Sequence, residues 1–266
     1  MKQYLDSYIR EMKNRNYSAN TIRLYSGCLA QFLDYSEKNR IEPSRRIALF
    51  LEKEKNTAEQ RRLAWSAIKL FYRLVLKKEC PYSLDKVRGR KRLPDILTNE
   101  EIHILLDSIS NPTHRAMISM LYGSGLRVSE VCVIQVGDLD FAHLMLKIRN
   151  SKGHKDRMTL LSDKLTDGLK TIISGRSAAD FVFLTQTGKK YSIRTVQKIF
   201  SSALSRSGLQ KRSTCHTLRH SFATHLVEDG VDIKTVKSLL GHKSIKTTMV
   251  YVKLADPVSR QITSPL

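Results

Sequence analysis

Residues 215–251 read CHTLRHSFATHLVEDGVDIKTVKSLLGHKSIKTTMVY, and this stretch organises the second half of the chain. Its periodicity predicts helices over about 216–229, 232–240 and 244–253, with Gly230 and Gly241 where helix stops belong. His216 and Arg219 are three apart, so one helix face presents both side chains. Tyr251 closes the run, nine residues after His242. Taken alone, such a tyrosine is by default a packed core residue with its hydroxyl at the surface. His216 and His220, at i and i+4, also invite a metal reading. Thr-Leu-Arg intervenes, however, without the glutamate of H-E-x-x-H, and Arg219 would set a cation beside the ion. His225 sits about half a turn round the helix from His216, so it cannot join them easily. No metal site is expected.

Working outward, GSGLRVSE (123–130) breaks the chain at glycine before a short helix from Arg127 through Ile134. Thr98-Asn99-Glu100-Glu101 is a capping-box start for a helix through Ile102, Leu105 and Leu106, and another helix follows over about 113–122. LMLKIRN (144–150) and DRMTLL (156–161) read as strands joined at SKGHK, with Gly153 in the turn, and FVFLT (181–185) reads as a third strand. Further helices are predicted over about 163–174 and 192–206.

The first 78 or so residues read as helices only. Leu5, Ile9 and Met12 mark one stripe, and Ile22, Tyr25, Leu29, Phe32 and Leu33 mark the next. Pro43 opens a third helix through Ile47, Phe50 and Leu51, and a fourth runs from about Thr57 to Lys78. Short amphipathic helices with brief connections predict a small bundle. Residues 81–94, PYSLDKVRGRKRLP, lose all periodicity and gather Lys86, Arg88, Arg90, Lys91 and Arg92. They read as a linker, either simply solvated or tracking a phosphate backbone. The fold class expected is mainly α: a four-helix domain at 1–82, a basic linker at 83–94, and an α+β domain at 95–266 with a small antiparallel sheet.

Lys plus Arg number 46 against 25 Asp plus Glu, a formal net charge of +21 on 266 residues. That self-repulsion is tolerated when the partner is a polyanion, and DNA or RNA fits better than anionic lipid. No apolar run approaches the roughly 18 residues that would span a bilayer, so no membrane partner is expected. The opening MKQYLDSYIREMKNRN lacks the apolar core of a secretory signal. Cys28, Cys80, Cys132 and Cys215 are scattered without a CxxC pair, and a reduced, cytoplasmic setting is expected.

Together these residues suit attack on a phosphodiester. Two guanidiniums, Arg127 and Arg219, match phosphate geometry and keep their charge at any working pH. They would stabilise a pentacoordinate transition state without a metal ion. An imidazole supplies a hydrogen bond or moves a proton near neutral pH. A lysine can protonate a departing sugar oxygen, and a tyrosine oxygen can attack if cations surround it.

GSGLRVSE, the hairpin lysine in SKGHKDR, CHTLRHSFATHLVEDG and LLGHKSIKTTMVY strongly resemble the tyrosine recombinase (lambda-integrase-type) family, its Xer-like and integron-integrase branches above all. The resemblance covers almost the whole chain, since the basic helical N-terminal part is similar to the family's SAM-like core-binding domain. It implies that Arg127 grips phosphate with Glu130 supporting its helix, and that Lys152 is the general acid. Lys155 and Arg157 compete near the same turn, and the family pattern favours Lys152. His216 and Arg219 would form the H-x-x-R pair, His242 would contact phosphate, and Tyr251 would form a 3′-phosphotyrosine. His220 and His225 read as structural. Arg88, Arg90, Lys91, Arg92 and Lys155 would contact DNA. The resemblance further implies strand exchange through a Holliday junction without ATP, metal or other cofactor. It implies a homo-tetramer on synapsed DNA, from a chain monomeric in solution, with room for an accessory protein or a second recombinase. A C-shaped clamp around DNA is the architecture expected. Competing classes are a non-catalytic DNA-binding module, a type IB topoisomerase and a metal-dependent nuclease.

Overall fold

Hydroxyl, carboxylate and proline caps set where the first helices begin. The computed structural model describes residues 2–39, 41–52, 57–83, 94–151, 155–242, 244–252 and 254–255, leaving aside the side chains of Asn150, Ser151 and Lys155. Helix α1 spans Lys2–Asn14. Helix α2 (Ala19–Lys38) starts where the Ser18 hydroxyl accepts from the Thr21 N–H at 3.1 Å. Pro43 heads α3 (Pro43–Leu51), and Thr57 with Gln60 forms a capping box on α4 (Ala58–Phe71). Their apolar faces meet in one core of Tyr8, Met12, Leu29, Phe32, Ile47, Ile68 and Phe71, among others. The Tyr8 hydroxyl, fully buried there, donates to the Ala67 carbonyl at 3.0 Å, which removes the cost of enclosing it.

The fourth helix departs from expectation at its end. Regular α-helix stops at Phe71 rather than near Lys78, and Tyr72–Leu76 form one wider π turn. Lys77 then takes φ 54°, a left-handed residue that closes the run, with the Lys78 N–H on the Tyr72 carbonyl at 3.1 Å.

The chain divides into two compact units, Met1–Lys91 and Arg92–Leu266. In the second, Thr98 and Glu101 make the expected capping box on α5 (Asn99–Asp107). Helix α6 (Pro112–Gly123) is buried throughout Ala116–Leu121 and contributes to the larger core. The short α7 spans only Val128–Val131. The expected continuation to Ile134 fails because that backbone pairs elsewhere. The Val182 N–H donates to the Ile134 carbonyl at 2.9 Å, and the Val136 N–H to Asp180 at 2.8 Å.

Three antiparallel strands follow, in the order β1 (Leu139–Asp140), β2 (Met145–Ser151) and β3 (Lys155–Leu160). The hairpin strands are where the sequence puts them, while turn residues 152–154 lie outside the described residues. FVFLT is not the third strand. It makes only isolated bridges, Gln135 with Phe181 and Leu184 with Lys190, while β1 pairs with the free side of β2. Its apolarity serves burial instead, since Val182 and Phe183 sit in the core. Alternation along β3 turns Arg157 and Thr159 inward and leaves Asp156, Met158 and Leu160 exposed.

Helices α8 (Thr166–Ile173) and α9 (Ile193–Arg206) add further cover. The last three are α10 (Cys215–Glu228), α11 (Ile233–Leu240) and α12 (Ile245–Val252). A satellite core of Phe222, Ala223, Val227, Val236, Leu240, Tyr251 and Ala255 locks them together. The architecture is mainly helical with a small antiparallel sheet. Among the described residues no helix is long and apolar enough to cross a membrane.

Candidate active site

The glycine break at 123–125 builds the first wall. Gly125 has φ +59°, and a Cβ there would lie 2.3 Å from Cδ1 of Phe222. Only glycine lets this turn pack against α10. Its carbonyl accepts from Nη1 of Arg219 at 2.6 Å, and Nη2 of the same guanidinium reaches the Leu240 carbonyl at 2.6 Å. Arg219 is 1% exposed, so these two bonds fix it in one orientation. Burial, then the charge of Arg127, press it down to about 9, with Glu130 opposing, and it stays charged at neutral pH.

Glu130 is the hub. Its Oε2 accepts the Arg127 backbone N–H at 2.8 Å, and its Oε1 accepts Nη1 of Arg127 at 2.7 Å. Arg157, from β3, makes a two-pronged contact with the same carboxylate at 2.7 and 2.8 Å, and its Nε donates to the Leu239 carbonyl at 2.8 Å. Arg219 adds a third guanidinium at 3.9 Å. Burial alone would raise the Glu130 carboxyl, but the hydrogen bonds and charges of Arg157 and Arg127 prevail and hold it at about 2. One carboxylate among three guanidiniums leaves this cluster positive, with Arg127 the arginine most open to solvent.

Helix α12 brings the tyrosine to this wall. Tyr251 is 2% exposed, and its hydroxyl is 3.0 Å from Nδ1 of His220. Its ring stacks on His242, with centroids 6.3 Å apart and planes at 18°. His242 is in turn tied through Nδ1 to the buried Thr248 hydroxyl at 3.1 Å. His216 stands open to solvent, edge-on to His220 with centroids 4.8 Å apart. Desolvation first, then neighbouring cations, pull His220 and His242 down to about 4 and lower His216. Desolvation raises the Tyr251 hydroxyl, while Arg219 and Arg127 pull it back.

Of the residues singled out from sequence, Arg127, His216, Arg219, His242 and Tyr251 therefore lie together in one cluster. Lys152, Arg88, Arg90, Lys91 and Arg92 lie outside the described residues, and Lys155 is described only as backbone in β3. Arg157 is no turn residue but a buried strut. His220, read as purely structural, bonds the tyrosine hydroxyl; its spacing from His216 was visible, but a partner 31 residues on was not. His225 pairs with the Tyr122 hydroxyl at 2.9 Å, away from the cluster residues named above. Among the described residues no group of three or more His, Cys, Asp or Glu is arranged to hold a metal ion. Cys28, Cys80, Cys132 and Cys215 are free thiols.

A mainly helical unit with a small antiparallel sheet is the fold shared with solved recombinase structures. The chain belongs to the phage integrase family, which matches it over residues 95–257. It is a tyrosine-type site-specific DNA recombinase of the Xer-like kind. A tyrosine recombinase of Pseudothermotoga lettingae is 37% identical to it, over 92% of this chain and 91% of that one. The tyrosine recombinase XerA of Thermococcus onnurineus is 31% identical, over 96% and 92%. A crystal structure of the XerH recombinase bound to a palindromic difH substrate has the same fold, with TM-score 0.75 and 21% identity over 92% of this chain and 80% of that one.

Proposed function

We propose that Tyr251 is the nucleophile with which this recombinase cuts DNA, and that Arg127 and Arg219 grip the non-bridging oxygens of the phosphate it attacks. The single observation that carries this reading is the tyrosine hydroxyl buried beside the Arg127–Glu130–Arg219 wall. Those guanidiniums stand ready before charge develops on phosphorus, which is where preorganised donors count most. The Tyr251 oxygen forms a bond to phosphorus as the bond to the 5′ oxygen breaks, and the phenol proton is lost to water. Lys152 protonates that leaving oxygen, and His216 and His242 hydrogen-bond the phosphate.

The product is a 3′-phosphotyrosine and a free 5′-hydroxyl. The ester conserves the bond energy, so a 5′-hydroxyl from another duplex reverses the step without ATP or metal. Two rounds of exchange then pass through a Holliday junction. The partner is double-stranded DNA with a specific site, which the charge of +21 supports. Residues 1–82 act as a SAM-like core-binding domain and 95–266 as the catalytic domain. Between them, Arg88, Arg90, Lys91 and Arg92 of the 83–94 linker track the backbone, with Lys155 beside the hairpin turn. Four copies work on synapsed sites, in the cytoplasm, with or without an accessory protein or second recombinase.

The test uses duplexes selected by binding from a random-sequence pool, nicked at successive positions and incubated in EDTA. Wild type is expected to form a covalent adduct that maps to Tyr251, and Tyr251→Phe to form none. Tight binding with no adduct from wild type at any nick position would return the chain to the binding-module reading.

A further inference from the structure

We infer that His220 is a positioning residue for the Tyr251 hydroxyl, holding it through Nδ1 and so setting the line on which the oxygen meets phosphorus. The inference rests on Tyr251 being the nucleophile. His220 follows directly after Arg219, whose guanidinium is fixed at both ends by the Gly125 and Leu240 carbonyls. The imidazole therefore leaves a helix turn that is already anchored to the phosphate-gripping wall. From there it spans to α12 and meets the tyrosine oxygen at 3.0 Å. Among the described residues this is the hydroxyl's hydrogen bond. His242 stacks on the ring face and directs its own Nδ1 to Thr248, so it steadies the ring without touching the oxygen.

The proposed bond runs from the tyrosine O–H to Nδ1, as one of the two tautomers of a neutral His220 ring allows. The groups facing His220 are His216 and Arg219 on its own helix, His242 from the α11–α12 turn, and Tyr251. Desolvation and these neighbours disfavour the imidazolium, so the ring is neutral at working pH. A neutral ring whose Nδ1 accepts carries its proton on Nε2. The tyrosine donates, and the same neighbours that keep His220 neutral oppose a full transfer of the proton to it. His220 thus orients the hydroxyl and is not its base.

This distinction gives the test, because asparagine sets its amide oxygen near the place of Nδ1, whereas glutamine reaches toward Nε2. Single-turnover adduct formation would be measured on the selected, nicked duplex for wild type, His220→Ala, His220→Asn, His220→Gln and Tyr251→Phe. Alanine and glutamine are expected to slow the step about 100-fold, as a mis-set nucleophile does, with the DNA-binding midpoint unchanged. Asparagine is expected to restore most of the rate, with the wild-type pH profile, at a melting temperature no higher than that of the glutamine variant. Should His220→Ala fail to fold, the asparagine–glutamine pair carries the comparison alone.

Asparagine as slow as alanine would overturn positioning in favour of proton acceptance. Rates that merely follow melting temperature would reduce His220 to packing, and wild-type speed from alanine would remove it altogether. An adduct from Tyr251→Phe would instead sink the nucleophile assignment, a result distinct from all of these.

Discussion

Arg219 bonds two backbone carbonyls from separate segments, Gly125 and Leu240, with two different nitrogens. A lysine carries one compact ammonium and cannot reach both in the same geometry. Arg219→Lys is therefore expected to lower adduct formation by about 100- to 1,000-fold while leaving DNA binding near wild type. Single-turnover cleavage alongside filter binding would check this, and near-normal cleavage would break the assignment of Arg219 to phosphate. Glu130 carries a second prediction. Its carboxyl is held at about 2, below its ordinary value, so folding favours the ionised form. The stabilisation is complete above about pH 5, on the order of 2–3 kcal/mol, and fades as pH falls toward 2. Glu130→Gln lacks it at every pH. The gap in urea stability between wild type and Glu130→Gln should thus be widest near neutrality and close under acid. A gap that stays constant with pH would mean that the carboxylate charge is not what the arginines hold.

The glycine turn between α6 and α7 exists because α10 packs against it. A methyl group on Gly125 meets the Phe222 ring at 2.3 Å on a backbone of φ +59°. Left-handed strain and overpacking together put the cost of Gly125→Ala at about 2–4 kcal/mol. Gly168 is the control: it lies within α8 with nothing within 4 Å of an added Cβ. Gly168→Ala should stabilise by about 0.5–1 kcal/mol. Denaturant melts of both variants decide this, and equal effects would mean that the turn is not tightly packed. At this scale the sequence was most legible where a cap or stop is local. The Thr98 capping box and the Gly241 stop are decided by residues three or four apart. The hairpin strands and α10 to α12 are legible over equally short ranges, from strand pattern and helical spacing. FVFLT misled because an apolar run announces burial, not pairing, and two-residue β1 is too short to announce anything. The Glu130–Arg157 contact joins residues 27 apart, one in α7 and one in β3, and no periodicity records it. His220 was visible as a histidine, but its role depends on a helix that returns 31 residues later.

For the whole molecule, a charge of +21 makes the solution ions a partner in binding. Affinity for the selected duplex is expected to fall by about 1,000-fold or more between 50 and 200 mM salt, as when six or more phosphates are neutralised. Titrations by fluorescence anisotropy across salt would show this, and a flat profile would count against an extended DNA contact. The division of the chain also matters. Arg127, Glu130, Arg157, His216, Arg219, His220, His242 and Tyr251 all belong to the Arg92–Leu266 unit, which encloses cores of its own, while Met1–Lys91 folds around another. The proposed cutting apparatus thus lies within one of the two units. A chimaera that borrows the helical N-terminal piece from a cousin would therefore carry over every residue of the proposed blade on a new handle.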